Sequence, residues 1–198
     1  MITVEFRDEF GPEEGEELAA MIADAMEYDA EAGFSTATPT DDADDDEITV
    51  FQMIARLTPG MHGSLDTPLV AFLRLDVDRA GAAIAQMVVR PEYRSLGIGT
   101  LMVETLAERA GPGFAGTGAR RITSWAHGSH PAADRMARRF GAEEGRSRWK
   151  LMRGEEIRYV TPEDDPAVLA ARRDGFVHEH TDVCYVWRVP VPSARPQS

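Results

Sequence analysis

Apolar residues change their spacing several times along this chain, and each change marks an element. "MITVEFRDEF" reads as a first strand, and after Pro12 the residues Leu18, Met21, Ile22 and Ala25 recur at i, i+3, i+4 and i+7, one face of a helix. "EITVFQMIARL" and "PLVAFLRLDV" are apolar, β-branched and aromatic runs of strand length. The loop "TPGMHGSLDT" joins them, so they are expected to pair as an antiparallel hairpin. The short connection Asp78 to Gly81 then returns the chain into a third neighbouring strand, Ala82 to Val89.

Helical spacing resumes at Val103, Leu106, Ala107 and Ala110, and Gly111 with Pro112 ends that helix. "GPGFAGTGA" reads as a flexible connector, and "RITSWAH" as a strand lying parallel to the one before the helix if the crossover is right-handed. "HPAADRMARRFGAE" reads as a short helix with Ala133, Met136, Ala137 and Phe140 inward and Gly141 as its stop. "SRWKLMR" and "DVCYVWRVPV" are further strands, separated by a helix around "DPAVLAARRDG". "ATPTDDADDD" reads as an exposed loop, and residues 191–198 as a disordered tail behind a single domain over 1–190.

Composition narrows this picture. With 198 residues, 43% hydrophobic and 28% charged, the chain has the material for one α/β domain with a real core. No apolar run has bilayer length, and the N-terminus has neither a basic nor an apolar leader region, so a soluble, cytoplasmic protein is expected. The net charge of -13 argues against nucleic acid and anionic membranes as partners. Acidic runs at Glu13 to Glu17 and Asp41 to Glu47 lack the alternating carboxylates and central glycine of a calcium loop, and no metal is expected. Cys184, the single cysteine, lies in an apolar strand and reads as an inert packed thiol.

The stretch "VVRPEYRSLGIGTLMVETLAERA" places Gly97 and Gly99 between a strand and a helix, where each glycine costs backbone entropy. A nucleotide P-loop needs a Lys and then Ser or Thr after the second glycine, and Thr100 and Leu101 stand there instead. A dinucleotide fingerprint wants a small residue at Met102 and an acid ending the next strand, and both are absent. What survives is a helix N-terminus with free amide groups aimed at a pyrophosphate.

With the preceding strand, Pro91 and the Tyr93-Arg94 pair, this arrangement resembles motif A of the GCN5-related N-acetyltransferase (GNAT) superfamily, and the order of elements to Arg153 follows that fold. A further resemblance, over Val70 to Arg153, links "WAHGSHPAADRMARRFGAE" and "RSRWKLMR" to one lobe of the two-lobed mycothiol synthases. The resemblance implies a mixed, mostly antiparallel sheet flanked by helices, and acetyl-CoA as co-substrate. Met87, Val88 and Val89 would pair with the pantetheine arm as an added strand does. Arg94, Ser95, Leu96, Gly97, Ile98, Gly99 and Thr100 would cradle the pyrophosphate. Arg135, Arg138 and Arg139 share a helix face that either meets the remaining CoA phosphate or is simply solvated.

The family pattern also breaks. Where many members carry a Tyr acid on the helix after the fifth strand this chain has Ala137, with His130 at the companion Asn position, and Ala82 to Ala85 occupy the region of the usual carboxylate base. His127 and His130 are the nearest titratable candidates for proton transfer, and "HGSHP" reads equally as a capping and turn element. Trp125 reads as core or pocket wall. The expected activity is acetyl transfer to a small-molecule amine. The alternative is a non-catalytic acyl-CoA-binding module that senses or supports a partner. A homodimer is left open.

Overall fold

In a computed structural model of the chain, residues 1–34, 48–58, 67–109 and 112–190 are described. They fall into two compact units, one of residues 1–25, 48–58, 67–109, 112–123 and 187–190, the other of 26–34 and 124–186. The acidic run Asp41 to Glu47, the expected loop "ATPTDDADDD", Ala110, Gly111 and the expected tail 191–198 lie outside the described residues.

The first unit is built on β1 (Ile2–Arg7), β2 (Thr49–Leu57), β3 (Leu69–Val77) and β4 (Ala82–Val89), each antiparallel to the one before it. The hairpin and the third strand thus form as their apolar spacing predicts. β3 is buried on both faces, so it is apolar without a break from Leu69 to Leu73, and the charges that follow, Arg74 and Asp76, pair with each other at 2.7 Å. On one side Ile54, Leu69 and Phe72 cluster with Leu18 and Met21 of α1 (Pro12–Glu31), with Ile22 packed against them. On the other, Met53, Ala55, Leu73 and Leu75 cluster with Ile98, Met102 and Leu106 of α2 (Ile98–Arg109). Gly81, at φ +83°, turns β3 into β4, and a Cβ there would stand 2.9 Å from the Gly118 carbonyl oxygen, so no side chain fits.

Two expectations are corrected here. α2 begins at Ile98, so Gly99 lies inside its first turn, and its buried stripe is Ile98, Met102 and Leu106 while Val103 and Ala107 are half-buried. The segment expected to be a flexible connector forms a 3-10 helix over Pro112–Thr117. The reason is Phe114, which is buried with its ring edge on Trp187 at 4.3 Å between centroids, while the Thr117 hydroxyl donates to the Phe114 carbonyl at 2.7 Å.

β5 (Arg121–Ala126) starts in the first unit, parallel to β4 through Ala82↔Arg121, Ala83↔Ile122 and Ile84↔Thr123. Among the described residues the ladder stops there, and Ala85 to Val89 pair through β3 alone.

The second unit holds α3 (Pro131–Phe140), β6 (Glu143–Arg153), β7 (Glu156–Val160), α4 (Asp165–Arg173) and β8 (Val177–Arg188) as far as Val186. β6 is antiparallel to both β7 and β8. Leu151, Val160, Val168, Ala171 and Phe176 form its core. Gly141 ends α3 at φ +70°, and Asp164 caps α4 by accepting from the Ala167 amide. β7 has no counterpart in the expected elements. Its five residues follow a two-residue turn, too little apolar material to stand out from a charged stretch. No helix among the described residues is long and apolar enough to cross a membrane.

Candidate functional site

In the first unit the chain leaves β4 through a 3-10 turn, Pro91–Tyr93, and reaches α2 by a loop with two left-handed residues, Ser95 at φ +62° and Gly97 at φ +82°. A Cβ built on Gly97 meets nothing within 4 Å. The glycine is therefore there for its backbone angle, and open space lies beside it. Gly97 caps α2 through its carbonyl, which accepts from the Leu101 amide at 2.9 Å, but it has no side chain to cover the first amide N–H groups of the helix. Ser95, Leu96 and Gly97 are exposed, Thr100 is half-buried, and Ile98 and Gly99 are buried.

Arg94 does not reach outward with its whole guanidinium. Its Nε donates to the Val89 carbonyl at 3.0 Å, which folds the loop back against the end of β4. Met87, Val88 and Val89 are half-buried on a strand end that, among the described residues, pairs through β3. That edge and the loop are the backbone donors and acceptors an extended amide chain with a phosphate end requires.

In the second unit the two histidines have different surroundings. His130 caps α3, its Nδ1 accepting from the Ala132 amide at 3.1 Å, and its ring lies 4.4 Å from that of Phe34. His127 Nδ1 stands 3.3 Å from Asp182 Oδ2, and its Nε2 is buried without a hydrogen-bond partner. Asp182, on β8, is 0% exposed. Its Oδ1 accepts from the Gly128 amide at 3.0 Å and its Oδ2 from Arg148 Nε at 3.0 Å, with His180 Nε2 3.3 Å from Oδ1. Burial alone would raise the carboxyl pKa, but hydrogen bonds from His127 and Gly128, with Arg148, hold it at about 2. Burial pushes the neighbouring His180 imidazole down from its ordinary value, against the pull of Asp182.

Arg148 ties this cluster to two rings, its guanidinium 4.5 Å from the Trp125 centroid and 4.3 Å from that of Tyr159. Trp125, half-buried, is thus a wall against arginine. Arg138 is exposed and paired with Asp134 at 2.8 Å, the i, i+4 contact of a solvated helix face, and Arg135 and Arg139 are exposed too. Ala137 and Cys184 are buried. Asp182, Arg148 and His180 were not singled out from sequence. The available signal was an aspartate at the head of the apolar run "DVCYVW", since a charge buried in a strand needs partners.

Among proteins of known family, residues 19–142 match the Acetyltransferase (GNAT) family. The mycothiol acetyltransferase of Saccharopolyspora erythraea is 34% identical over 115 residues, 49% of this chain and 38% of that protein. The mycothiol acetyltransferase of Actinosynnema mirum is 29% identical over 161 residues, 77% of this chain and 48% of that protein. The matches thus span less than half the length of these curated relatives. Among solved structures, a GNAT-family acetyltransferase from Streptococcus pneumoniae aligns with a TM-score of 0.59 at 14% identity, over 95% of this chain and 100% of that one. The ribosomal-protein-S18-alanine N-acetyltransferase of Escherichia coli aligns at 0.54 and 14%, over 100% and 99%. These likenesses give the fold. The family match, which takes in well over half of the chain, gives the rest: this chain belongs to the GNAT acetyltransferase family.

Proposed function

We propose that this chain is an acetyl-CoA-dependent N-acetyltransferase that passes the acetyl group directly to a small-molecule amine. The observation that carries this reading is the open space beside Gly97, a cap residue at the start of α2 that has no side chain. Backbone amides there suit a pyrophosphate, and a helix N-terminus favours negative charge. In this reading Arg94 to Thr100 hold the phosphates, Met87 to Val89 align the pantetheine amides, and residues 1–190 act as one cytoplasmic domain. The continuity of the family match from residue 19 to residue 142 supports the single domain. The acidic surface favours a cationic acceptor.

A second reading is a non-catalytic acyl-CoA-binding module, favoured by Ala137 and Ala82 to Ala85 at the positions where relatives of this fold keep an acid and a base. A thiolate is a good enough leaving group for positioning and oxyanion stabilisation to carry the transfer without that acid. Two measurements separate the readings. Acetyl-CoA should raise the melting temperature, because the phosphate loop exists only in the folded chain. Mass spectrometry of amine pools incubated with protein and acetyl-CoA should then show an acetylated product. Binding without any product returns the chain to the module, and no binding of CoA, acetyl-CoA or longer acyl-CoAs removes both readings.

A further inference from the structure

β7 is an edge of the sheet in the second unit: among the described residues it pairs with β6 alone. Its two faces differ. Glu156, Arg158 and Val160 alternate onto the side of α4, where Val160 joins the core and the Arg158 guanidinium lies 4.2 Å from the Phe176 ring centroid. The opposite side carries Ile157 and Tyr159, and the register continues it sideways, with Val177 of β8 beside Met152 of β6 and Met152 beside Ile157. Val177 is 69% exposed and Ile157 53%, with Met152 half-buried between them, so an apolar row crosses three strands and stops at the edge. An edge strand offers backbone N–H and C=O groups to a further strand, and natural sheets usually guard it with charge. On β7 both charges stand on the α4 side, each in an ion pair of its own chain, Glu156 with Arg153 at 2.6 Å and Arg158 with Asp174 at 3.0 Å.

We propose that two copies of this chain associate through β7, strand against strand and antiparallel about Ile157. A two-fold axis perpendicular to the sheet leaves each face on its own side, and the charges select where along the strand it falls. With the axis at Ile157, Glu156 stands opposite Arg158 of the second copy, and Arg158 opposite Glu156 of the second copy. An axis at Arg158 would set two arginines face to face, and one at Tyr159 would set Arg158 against Val160. Directly opposite residues have Cβ atoms about 4.5–5.5 Å apart, where unlike charges favour pairing and like charges oppose it. A carboxylate has two acceptor oxygens and a guanidinium five donors, so the ion pairs with Arg153 and Asp174 leave both groups able to make this second contact. On the exposed face the same axis puts Ile157 against its own copy, and the apolar row runs on through Met152 and Val177 of the second copy, from three strands to six. The edge is thus complementary to itself, as an isologous contact requires. Its five residues of strand make a small interface, and the association is weak and concentration-dependent. The contact lies wholly within the second unit and needs no acetyl-CoA.

Sedimentation velocity of the full chain, taken to about 1 mM because a small contact gives a weak dimer, should show monomer and dimer in exchange. Ile157→Lys, at a side chain more than half exposed, should fold and weaken association by about tenfold or more, since both copies bring the charge into the apolar row. Glu156→Arg and Arg158→Glu should each lower self-association, because one sets only positive and the other only negative charges across the axis. An equimolar mixture of these two variants should restore a dimer with one copy of each, a rescue that a merely structural role of either residue would not give. A wild type that stays monomeric at that concentration, a dimer that persists in Ile157→Lys, or a mixture that associates no better than its components overturns the proposal. If Arg158→Glu, which also loses its contacts with Asp174 and Phe176, does not fold, Ile157→Lys and Glu156→Arg against wild type decide.

Discussion

Arg94 Nε and the Val89 carbonyl oxygen are 3.0 Å apart, a bond that closes the loop after β4 onto the strand it has just left. The side chain therefore shapes the loop as well as lending it charge. Arg94→Ala should weaken acetyl-CoA binding by tenfold or more in calorimetry, since a hydrogen bond from a charged group contributes about 1.5–3 kcal/mol. Arg94→Lys should recover only part of this, because an ammonium keeps the charge but has no donor at the Nε position. Full recovery by Lys would mean that charge alone matters.

Gly97 gives the second expectation. At φ +82° any L-residue is strained by about 1–2 kcal/mol, while the open space beside it means that Ala clashes with nothing. Gly97→Ala should then fold, with a melting temperature lower by a few degrees, about 2–4 °C per kcal/mol in a chain of this size. Its affinity for acetyl-CoA should fall far more than its stability, because the methyl group enters the space proposed for the pyrophosphate. Equal, small effects on both would reduce the glycine to a helix cap.

Most of the first unit could be read from sequence because its signals are local. The apolar periods of α1 and β2 to β4 and the glycine loop each lie within a short stretch. Phe114 was misjudged because glycines around it suggest freedom, and only a distant ring, Trp187, supplies the packing that orders it. The loop of Arg94 to Thr100 was legible as a motif, but the bond from Arg94 back to Val89 was not, since a side chain's direction is not written in spacing. The cluster around Asp182 was the least legible part. Arg148 comes from β6, His180 and Asp182 from β8, and His127 from the turn after β5, and they are brought together over separations of up to 55 residues. Spacing along one element carries no trace of that.

Acid should undo the second unit in two stages. Asp182 has a folded pKa of about 2 against an ordinary 3.8, so its stabilisation is complete above pH 4 and is lost as pH falls toward 2. The difference corresponds to about 2 kcal/mol. His180 is shifted downward as well, from an ordinary 6.5, so the unfolded chain binds its proton more readily and stability already begins to fall below that pH. Both effects have the same sign. Denaturant midpoints measured from pH 8 to pH 3 should decline throughout, and His180→Gln should flatten the upper part of the decline while leaving the lower part. A midpoint rising on acidification would contradict the arrangement.

The last expectation concerns the side of the reaction where CoA leaves. In the reading proposed above, the buried Ala137 takes the place of the usual tyrosine, and no phenol would protonate the departing thiolate there. An enzyme with such an acid loses rate at high pH as the acid ionises, which gives the falling limb of a bell-shaped profile. Here the profile should rise and then stay level up to the pH at which the fold fails. Turnover should also be slow, and acceptors that are already good nucleophiles should be favoured, because the barrier is lowered mainly by positioning. The measurement is kcat/KM for acetyl-CoA against pH with the best amine from the mass-spectrometric screen, checked at each pH by circular dichroism. A reversible falling limb in a chain that remains folded would reveal an acid elsewhere, and deuterated solvent would then show whether its proton moves in the rate-limiting step.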